Sequence, residues 1–64
     1  MVQLYMFFIR GKLYTISEGY ENAASEERYL TTQFNHITLI SILAQSYTEA
    51  WLEVDQIDDF SYQL

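Results

Sequence analysis

The sequence contains no cysteine and no proline, and it has only two glycines and one histidine among its 64 residues. Without cysteine the chain can form neither a disulfide nor a thiolate metal site. Two glycines are too few for a phosphate-cradling loop, and His36 is the only imidazole that could serve as a base. We therefore expect a binding protein and not an enzyme, with no cofactor and no metal. Because no proline-rich or low-complexity stretch marks a linker, we also expect a single domain over residues 1–64.

Positive charge is scarce: three Lys and Arg residues stand against nine Asp and Glu residues, so the net charge is −6. No Lys or Arg occurs from Leu30 onward. Five carboxylates follow there: Glu49, Glu53, Asp55, Asp58 and Asp59. Because contacts to phosphates come largely from Lys and Arg, we expect no binding to nucleic acid. The expected partner is instead a basic protein surface, such as that of a DNA-binding protein.

Long apolar runs are also missing. The longest apolar cluster, residues 37–44, is interrupted by Thr38 and Ser41 and is far shorter than the ~20 residues that a membrane span needs. The N-terminus has no basic segment followed by a long apolar segment, the pattern of a secretory signal. We therefore expect no membrane association and a cytoplasmic location.

Apolar and aromatic surface is abundant: half of the residues are hydrophobic and 17% are aromatic. A chain this short buries only about 60% of its unfolded surface, and its core rarely supplies more than roughly 3–5 kcal/mol. Since no disulfide or thiolate metal site can add to this stability, association with a second copy is the remaining source. We therefore expect a homodimer.

Residues 2–18 predict a β-hairpin. The stretch from Val2 to Ile9 is almost entirely apolar, which suits a strand covered on both faces. Gly11-Lys12 then offers glycine at the first central position of a two-residue type II′ turn, and residues 13–17 fit the return strand.

Residues 23–45 predict a helix. Asn22 or Ser25 can cap it, two acids in its first turns favour the positive end of the helix dipole, and apolar residues then recur at helical spacing. At Asn35-His36 the pattern weakens, and the β-branched residues that follow leave a break or a strand open.

Residues 46–57 fit two structures. Ser46 and Glu49 have the spacing of a helical capping box, whereas Ala50, Leu52 and Val54 share the inward face if the segment is a strand. We prefer the strand, because an isolated hairpin is marginal and gains from a third strand beneath the helix. The predicted fold is then α+β with the order ββαβ, an antiparallel sheet of about three strands packed against one helix.

The alternation of Glu49, Trp51, Glu53 and Asp55 in this last segment is the most informative pattern. On a strand these residues share the outer face, and residues two apart recur at about 6.6 Å, a spacing of the same order as that between backbone phosphates. Such a ladder can imitate a DNA strand, and Trp51 has the size of an interface anchor. The alternative is that the acids only keep an edge strand soluble.

Several short motifs together span most of the chain: Met1-Val2-Gln3, Gly11-Lys12-x-Tyr14, Ser25-Glu26 with Leu30, and Trp51-Leu52-Glu53-Val54. In these motifs the chain resembles the small phage-encoded inhibitors of uracil-DNA glycosylase, which are acidic ββαβ proteins that dimerise and mimic DNA. The resemblance implies a DNA-mimic inhibitor of a host DNA-processing enzyme, with uracil-DNA glycosylase as the first candidate.

The resemblance also directs attention to the first helical turns. In that family an aromatic residue followed by an acid helps to form the pocket that grips the glycosylase. The matching positions here hold Glu27 and Arg28, and the nearest aromatic residue is Tyr29. We include Glu26, Glu27 and Tyr29 among the predicted partner-binding residues. The alternative function is a structural or assembly module that self-associates through aromatic faces, because a hairpin and one helix cannot cover both faces of an aromatic sheet.

Overall fold

The computed structural model describes the backbone of residues 1–62 and the side chains of residues 1–58. The elements in chain order are β1 (Val2–Ile9), β2 (Lys12–Glu18), α1 (Tyr20–Gln33), β3 (Thr38–Ala44) and α2 (Tyr47–Tyr62). The predicted α+β class and the three-stranded antiparallel sheet are confirmed. The last strand of the ββαβ order is formed by residues 38–44, and a second helix follows it in the segment for which a helix was the alternative prediction.

β1 lies in the middle of the sheet, with β2 and β3 paired antiparallel on either side of it. Its side chains alternate between the two faces of the sheet. On one face a cluster of buried residues joins the sheet to α2: Val2, Leu4, Met6, Phe8, Ile42, Ala44, Ala50 and Val54. On the other face Phe7 packs against Ala23 and Leu30 of α1. The sheet is therefore the middle layer between two helices.

The molecule measures 32 × 31 × 11 Å along its principal axes. Three strands spaced about 4.8 Å apart make a sheet roughly 10 Å wide, so the short axis runs across the strands. The other two axes follow the strands and the stacking of the layers. The protein is thus a thin slab, and the edge strands β2 and β3 lie on its two broad sides.

The predicted hairpin is confirmed, but its turn lies one residue earlier than expected. Ile9 pairs with Lys12, so the central residues of the turn are Arg10 and Gly11. Their φ angles are 56° and 78°. Two central residues with positive φ make a type I′ turn, and the expected type II′ turn at Gly11-Lys12 is wrong.

The first helix begins earlier than predicted. Gly19 has a φ of 85°, a conformation that glycine adopts without steric cost, and the helix starts directly after it. The predicted caps Asn22 and Ser25 therefore both lie inside α1. The side-chain Nδ2 of Asn22 instead donates a hydrogen bond of 2.8 Å to the carbonyl oxygen of Glu18, which ties the helix to the end of β2.

The second half of the predicted helix, residues 34–45, is wrong. α1 ends at Gln33, and Phe34 is extended with a φ of −134°. The ring of Phe34 packs edge-on against Tyr14, with ring centres 5.6 Å apart. The β-branched residues that follow form β3, which pairs with β1 along its whole length and buries Ile42. The break left open at Asn35-His36 thus separates a helix from a strand.

The preferred strand over residues 46–57 is also wrong: α2 begins at Tyr47, and the helical alternative is confirmed with Ser46 as its cap. The Oγ of Ser46 accepts a hydrogen bond of 3.2 Å from the amide of Glu49, and the Glu49 carboxylate accepts one of 3.4 Å from the amide of Gln45. α2 buries Ala50 and Val54, one turn apart. Since β3 supplies the third strand, α2 is available to cover the second face of the sheet.

The second helix covers the sheet face that was expected to stay bare. A hairpin and one helix would leave one face of β1 bare, whereas α1 and α2 together cover both faces. The surplus apolar surface therefore lies at the sheet edge and on the outside of the helices. Within residues 1–62, no helix is long and apolar enough to cross a membrane.

Candidate functional site

α2 carries four of the seven predicted partner-binding residues. Glu49, Trp51, Glu53 and Asp55 are all exposed. The sequence of α2 contains no Lys or Arg, so no cation on the helix itself neutralises these carboxylates. The carboxylates and the tryptophan predicted for partner binding are therefore at the surface, but they lie on a helix and not on a strand.

The helical conformation rearranges these four residues. Successive residues of an α-helix are rotated by about 100°, so residues four apart stand one above the other. Glu49 and Glu53 consequently lie on one flank of the buried stripe, and Trp51 and Asp55 lie on the other. The predicted ladder, in which all four share one strand face, is wrong. What remains is two pairs, each with a rise of about 6 Å between its members.

The flank that bears Trp51 is also rich in large apolar side chains. Tyr47 stands one turn before Trp51, Asp55 stands one turn after it, and Leu52 lies beside it on the outside of the helix. Trp51 is 46% exposed and Leu52 is 57% exposed. We call Tyr47, Trp51, Leu52 and Asp55 the α2 outer face.

Tyr47 anchors the start of this face to the sheet. Its hydroxyl donates a hydrogen bond to the Glu18 carboxylate at the end of β2. This hydrogen bond, together with the negative charge of Glu18, raises the pKa of Tyr47 above the ordinary value of 10.0. The hydrogen bond therefore links α2 to the edge strand β2. It persists only while the Tyr47 hydroxyl keeps its proton.

The three predicted binding residues on α1 lie on the other side of the sheet. Glu27 and Tyr29 are exposed and Glu26 is partly buried. Glu26 and Tyr29 share a side of the helix, whereas Glu27 faces a small hollow lined also by Tyr20 and Leu39. The structure therefore separates the α1 residues from the α2 outer face, and the seven predicted residues do not form one site.

A hollow of about 450 Å³ lies between the hairpin turn and the loop that follows α1. Its lining residues are Ile9, Arg10, Gln33, Phe34, Asn35 and His36. His36, the only imidazole of the chain, faces no nucleophilic side chain among these residues. In the part of the chain whose side chains are described, no group of three or more His, Cys, Asp and Glu residues could hold a metal ion.

A second exposed apolar surface lies on β3 and was not predicted from the sequence. Leu39 and Leu43 are 41% and 60% exposed, and both lie on the α1 side of the sheet. α1 packs against β1 and β2; Leu39 borders the small hollow beside Tyr20 and Glu27, and both leucines stay more than one third exposed. They were missed because residues 37–45 were assigned to a helix. The β-branched run that starts at Ile37 was the signal that could have identified the strand.

Comparison with protein-family models, with curated proteins and with solved structures finds no match to the chain. The resemblance to the phage-encoded inhibitors therefore stays a prediction, and it depends on the short motifs alone.

Proposed function

We propose that the protein is a non-enzymatic binding module that docks the α2 outer face onto a basic surface of another protein. The observation that supports this most directly is the exposure of Trp51 and Leu52 on a helix whose charged residues are all acidic. Interfaces combine a few large apolar anchors with a polar rim, and tryptophan is among the residues most enriched as anchors.

The alternative reading of this face is an ordinary solvated helix surface. Single exposed hydrophobic residues are common and need no explanation. On the α2 outer face, however, Tyr47 and Trp51 stand one above the other, one turn apart, and both are exposed, as is Leu52 on the outside of the helix. A stacked pair of large exposed aromatic residues with a carboxylate one turn further on favours a docking site over a face whose acids serve solubility alone.

In its specific form, the proposal is that the partner is a host DNA-processing enzyme and that the protein acts as a DNA-mimic inhibitor in the cytoplasm. The net charge of −6 supports a partner whose surface normally binds DNA. Uracil-DNA glycosylase is the first candidate, and its support is the sequence resemblance. On a helix, the Trp51–Asp55 pair of the α2 outer face takes the place of the strand ladder, and the Glu49–Glu53 pair lies on the other flank.

The test measures inhibition of purified uracil-DNA glycosylase and direct binding to it. We expect Trp51→Ala to weaken binding about 30-fold or more, because anchor residues cost at least about 2 kcal/mol when truncated. Asp55→Asn should weaken it less and should reduce its dependence on salt. A matched control, Glu27→Gln, removes one charge from α1 on the opposite side of the sheet and should leave binding unchanged.

Two outcomes would contradict the proposal at different levels. If the wild-type protein neither binds nor inhibits the glycosylase, the named target is wrong, and the same variants can be tested on other DNA-processing enzymes. If Glu27→Gln weakens capture as much as Trp51→Ala does, the docking surface is not on α2. Circular dichroism of every variant is needed to show that a loss of binding is not a loss of fold.

A further inference from the structure

The outer edge of β3 is open and lacks the features that normally protect an edge strand. β3 has no charged residue and no proline, and its pairing with β1 runs without a bulge from Val2–Ala44 to Phe8–Thr38. In the described part of the chain, no strand pairs with the other edge of β3. Native edge strands usually carry a charge, a proline or a bulge, because unpaired backbone groups otherwise recruit another strand.

The sequence of this strand is symmetric. Residues 39–43 are Leu-Ile-Ser-Ile-Leu, which reads the same in both directions about Ser41. We propose that two copies of the chain join through β3, antiparallel about Ser41, to form a continuous six-stranded sheet. In this arrangement Leu39 faces Leu43 of the second copy, Ile40 faces Ile42, and Ser41 faces its own equivalent.

The pairing matches like with like on both faces of the sheet. On the α1 side, the exposed Leu39 and Leu43 of each copy cover those of the other. On the α2 side, the partly buried Ile40 and the buried Ile42 extend the core across the two-fold axis. Cross-strand pairs of apolar residues stabilise a sheet, whereas like charges directly opposite destabilise it, and β3 brings none.

The size of the surface fits a second copy. The broad side of the slab, on which β3 lies, measures 32 × 31 Å. A stable interface buries roughly 800 Å² on each partner, which such a side can supply when the flanks of both helices also meet. A two-fold axis requires a self-complementary patch, and the symmetric strand provides one. These features favour a second copy over a foreign peptide.

Net charge sets the salt dependence of this contact. Each copy carries −6, so dimerisation brings like charges together although β3 itself is neutral. Salt screens that repulsion, and the dimer should therefore tighten as ionic strength rises. Docking of α2 on a basic partner should show the opposite dependence.

The chain offers a matched pair of variants for the test. Ser41 on β3 and Ser17 on β2 both pair with Tyr5, on opposite sides of β1, so they stand at the same level of the two sheet edges, Ser41 exposed and Ser17 partly buried. Sedimentation over a concentration series should show a wild-type dimer. Ser41→Lys should weaken it about fivefold or more, because it sets two like charges opposite each other. Ser17→Lys makes the same change in net charge and should leave the dimer intact.

Two further measurements test the position of the two-fold axis. Ser41→Glu alone should also weaken the dimer, but mixing it with Ser41→Lys should give a heterodimer that is tighter than either homodimer. Because the chain has no cysteine, Ser41→Cys supplies its only thiol. Directly opposed residues of antiparallel strands lie about 4.5–5.5 Å apart, within reach of a disulfide. Mild oxidation should therefore cross-link Ser41→Cys quickly and Ser17→Cys slowly.

Ser41 is exposed and Ser17 is partly buried, so far-UV circular dichroism at low concentration must show that both lysine variants stay folded. A wild-type protein that remains monomeric at high concentration and high salt would overturn the proposal. So would a dimer that Ser17→Lys weakens as much as Ser41→Lys does. A dimer that survives both lysine variants would place the interface elsewhere and would overturn it equally.

Discussion

Substituting Asp for Val54 or for Leu52 distinguishes the helix α2 from the strand that the sequence of this segment also allows. In the helix Val54 is 3% exposed and Leu52 faces solvent, whereas in a strand both would point inward. Val54→Asp removes the burial of a valine, about 1.5–3 kcal/mol, and adds the cost of a buried carboxylate, about several kcal/mol more. That sum exceeds the roughly 3–5 kcal/mol that a core of this size supplies. Val54→Asp should therefore be unfolded at 25 °C.

Leu52→Asp is the matched control, because it adds the same charge to the same helix. A surface substitution usually changes stability by less than about 0.5 kcal/mol, so this variant should fold. Urea titrations followed by circular dichroism and by Trp51 fluorescence give the free energy of unfolding of each variant. If Leu52→Asp unfolds the protein as Val54→Asp does, residues 52 and 54 share a buried face and the reasoning about α2 fails.

Three smaller predictions concern local contacts. Ser46→Ala removes the cap of α2 and should lower the free energy of unfolding, measured by urea titration, by about 1 kcal/mol. An unchanged free energy of unfolding would show that Ser46 does not cap the helix. Arg10→Asn places a residue that tolerates positive φ in the type I′ turn and should raise the melting temperature; a decrease would contradict the turn assignment. The raised pKa of Tyr47 means that the contribution of its bond to Glu18 is fully present below pH 10.0 and is lost as the pH rises through the folded-state pKa. Tyr47→Phe should therefore lack part of the alkaline loss of stability that the wild type shows.

The hairpin could be predicted from sequence because its signals are local and agree with one another. Both faces of Val2–Ile9 are largely apolar; the structure buries the face under α2, and under α1 it buries Phe7 and partly buries Tyr5 and Ile9. The turn needs positive φ close to Gly11, and glycine supplies it. Only the turn position was off by one residue, because Arg10 gives no signal for the unusual backbone angle that it adopts.

The second half of the chain could not be assigned from periodicity alone. Leu30, Phe34 and Ile37 continue a helical spacing, although the last two pack with Phe7 from outside α1. Residues 38–44 become a strand because β1 offers a free edge for pairing, and the paired residues are 30 to 42 positions apart in the sequence. This tertiary pairing, together with the β-branched residues that favour a strand, outweighs the helical spacing. The capping box at Ser46 was the local signal that pointed to the right structure for the next segment.

For the candidate site, the exposure of the residues could be predicted from the sequence, but their arrangement could not. That Trp51 and the carboxylates of this segment lie at the surface could be predicted from residue type, and the structure exposes Glu49, Glu53 and Asp55. Which of them are neighbours depends on the period of the element. A period of 2 places all four on one face, whereas a period of 3.6 divides them into two flanks. Predicting a strand in place of the helix therefore gave the right exposed residues in the wrong arrangement.

The two proposed surfaces should influence each other through charge and not through contact. In the proposed dimer both α2 helices lie on the same side of the continuous sheet, and the two copies together present twice the net charge of −6. A doubled negative field should raise the association rate with a basic partner at low salt, while the contacts of Trp51 set the dissociation rate. Ser41→Lys should therefore slow association with the partner more than Ser17→Lys does and leave dissociation unchanged. Because both variants carry the same net charge per copy, equal association rates would show that dimerisation does not contribute to capture.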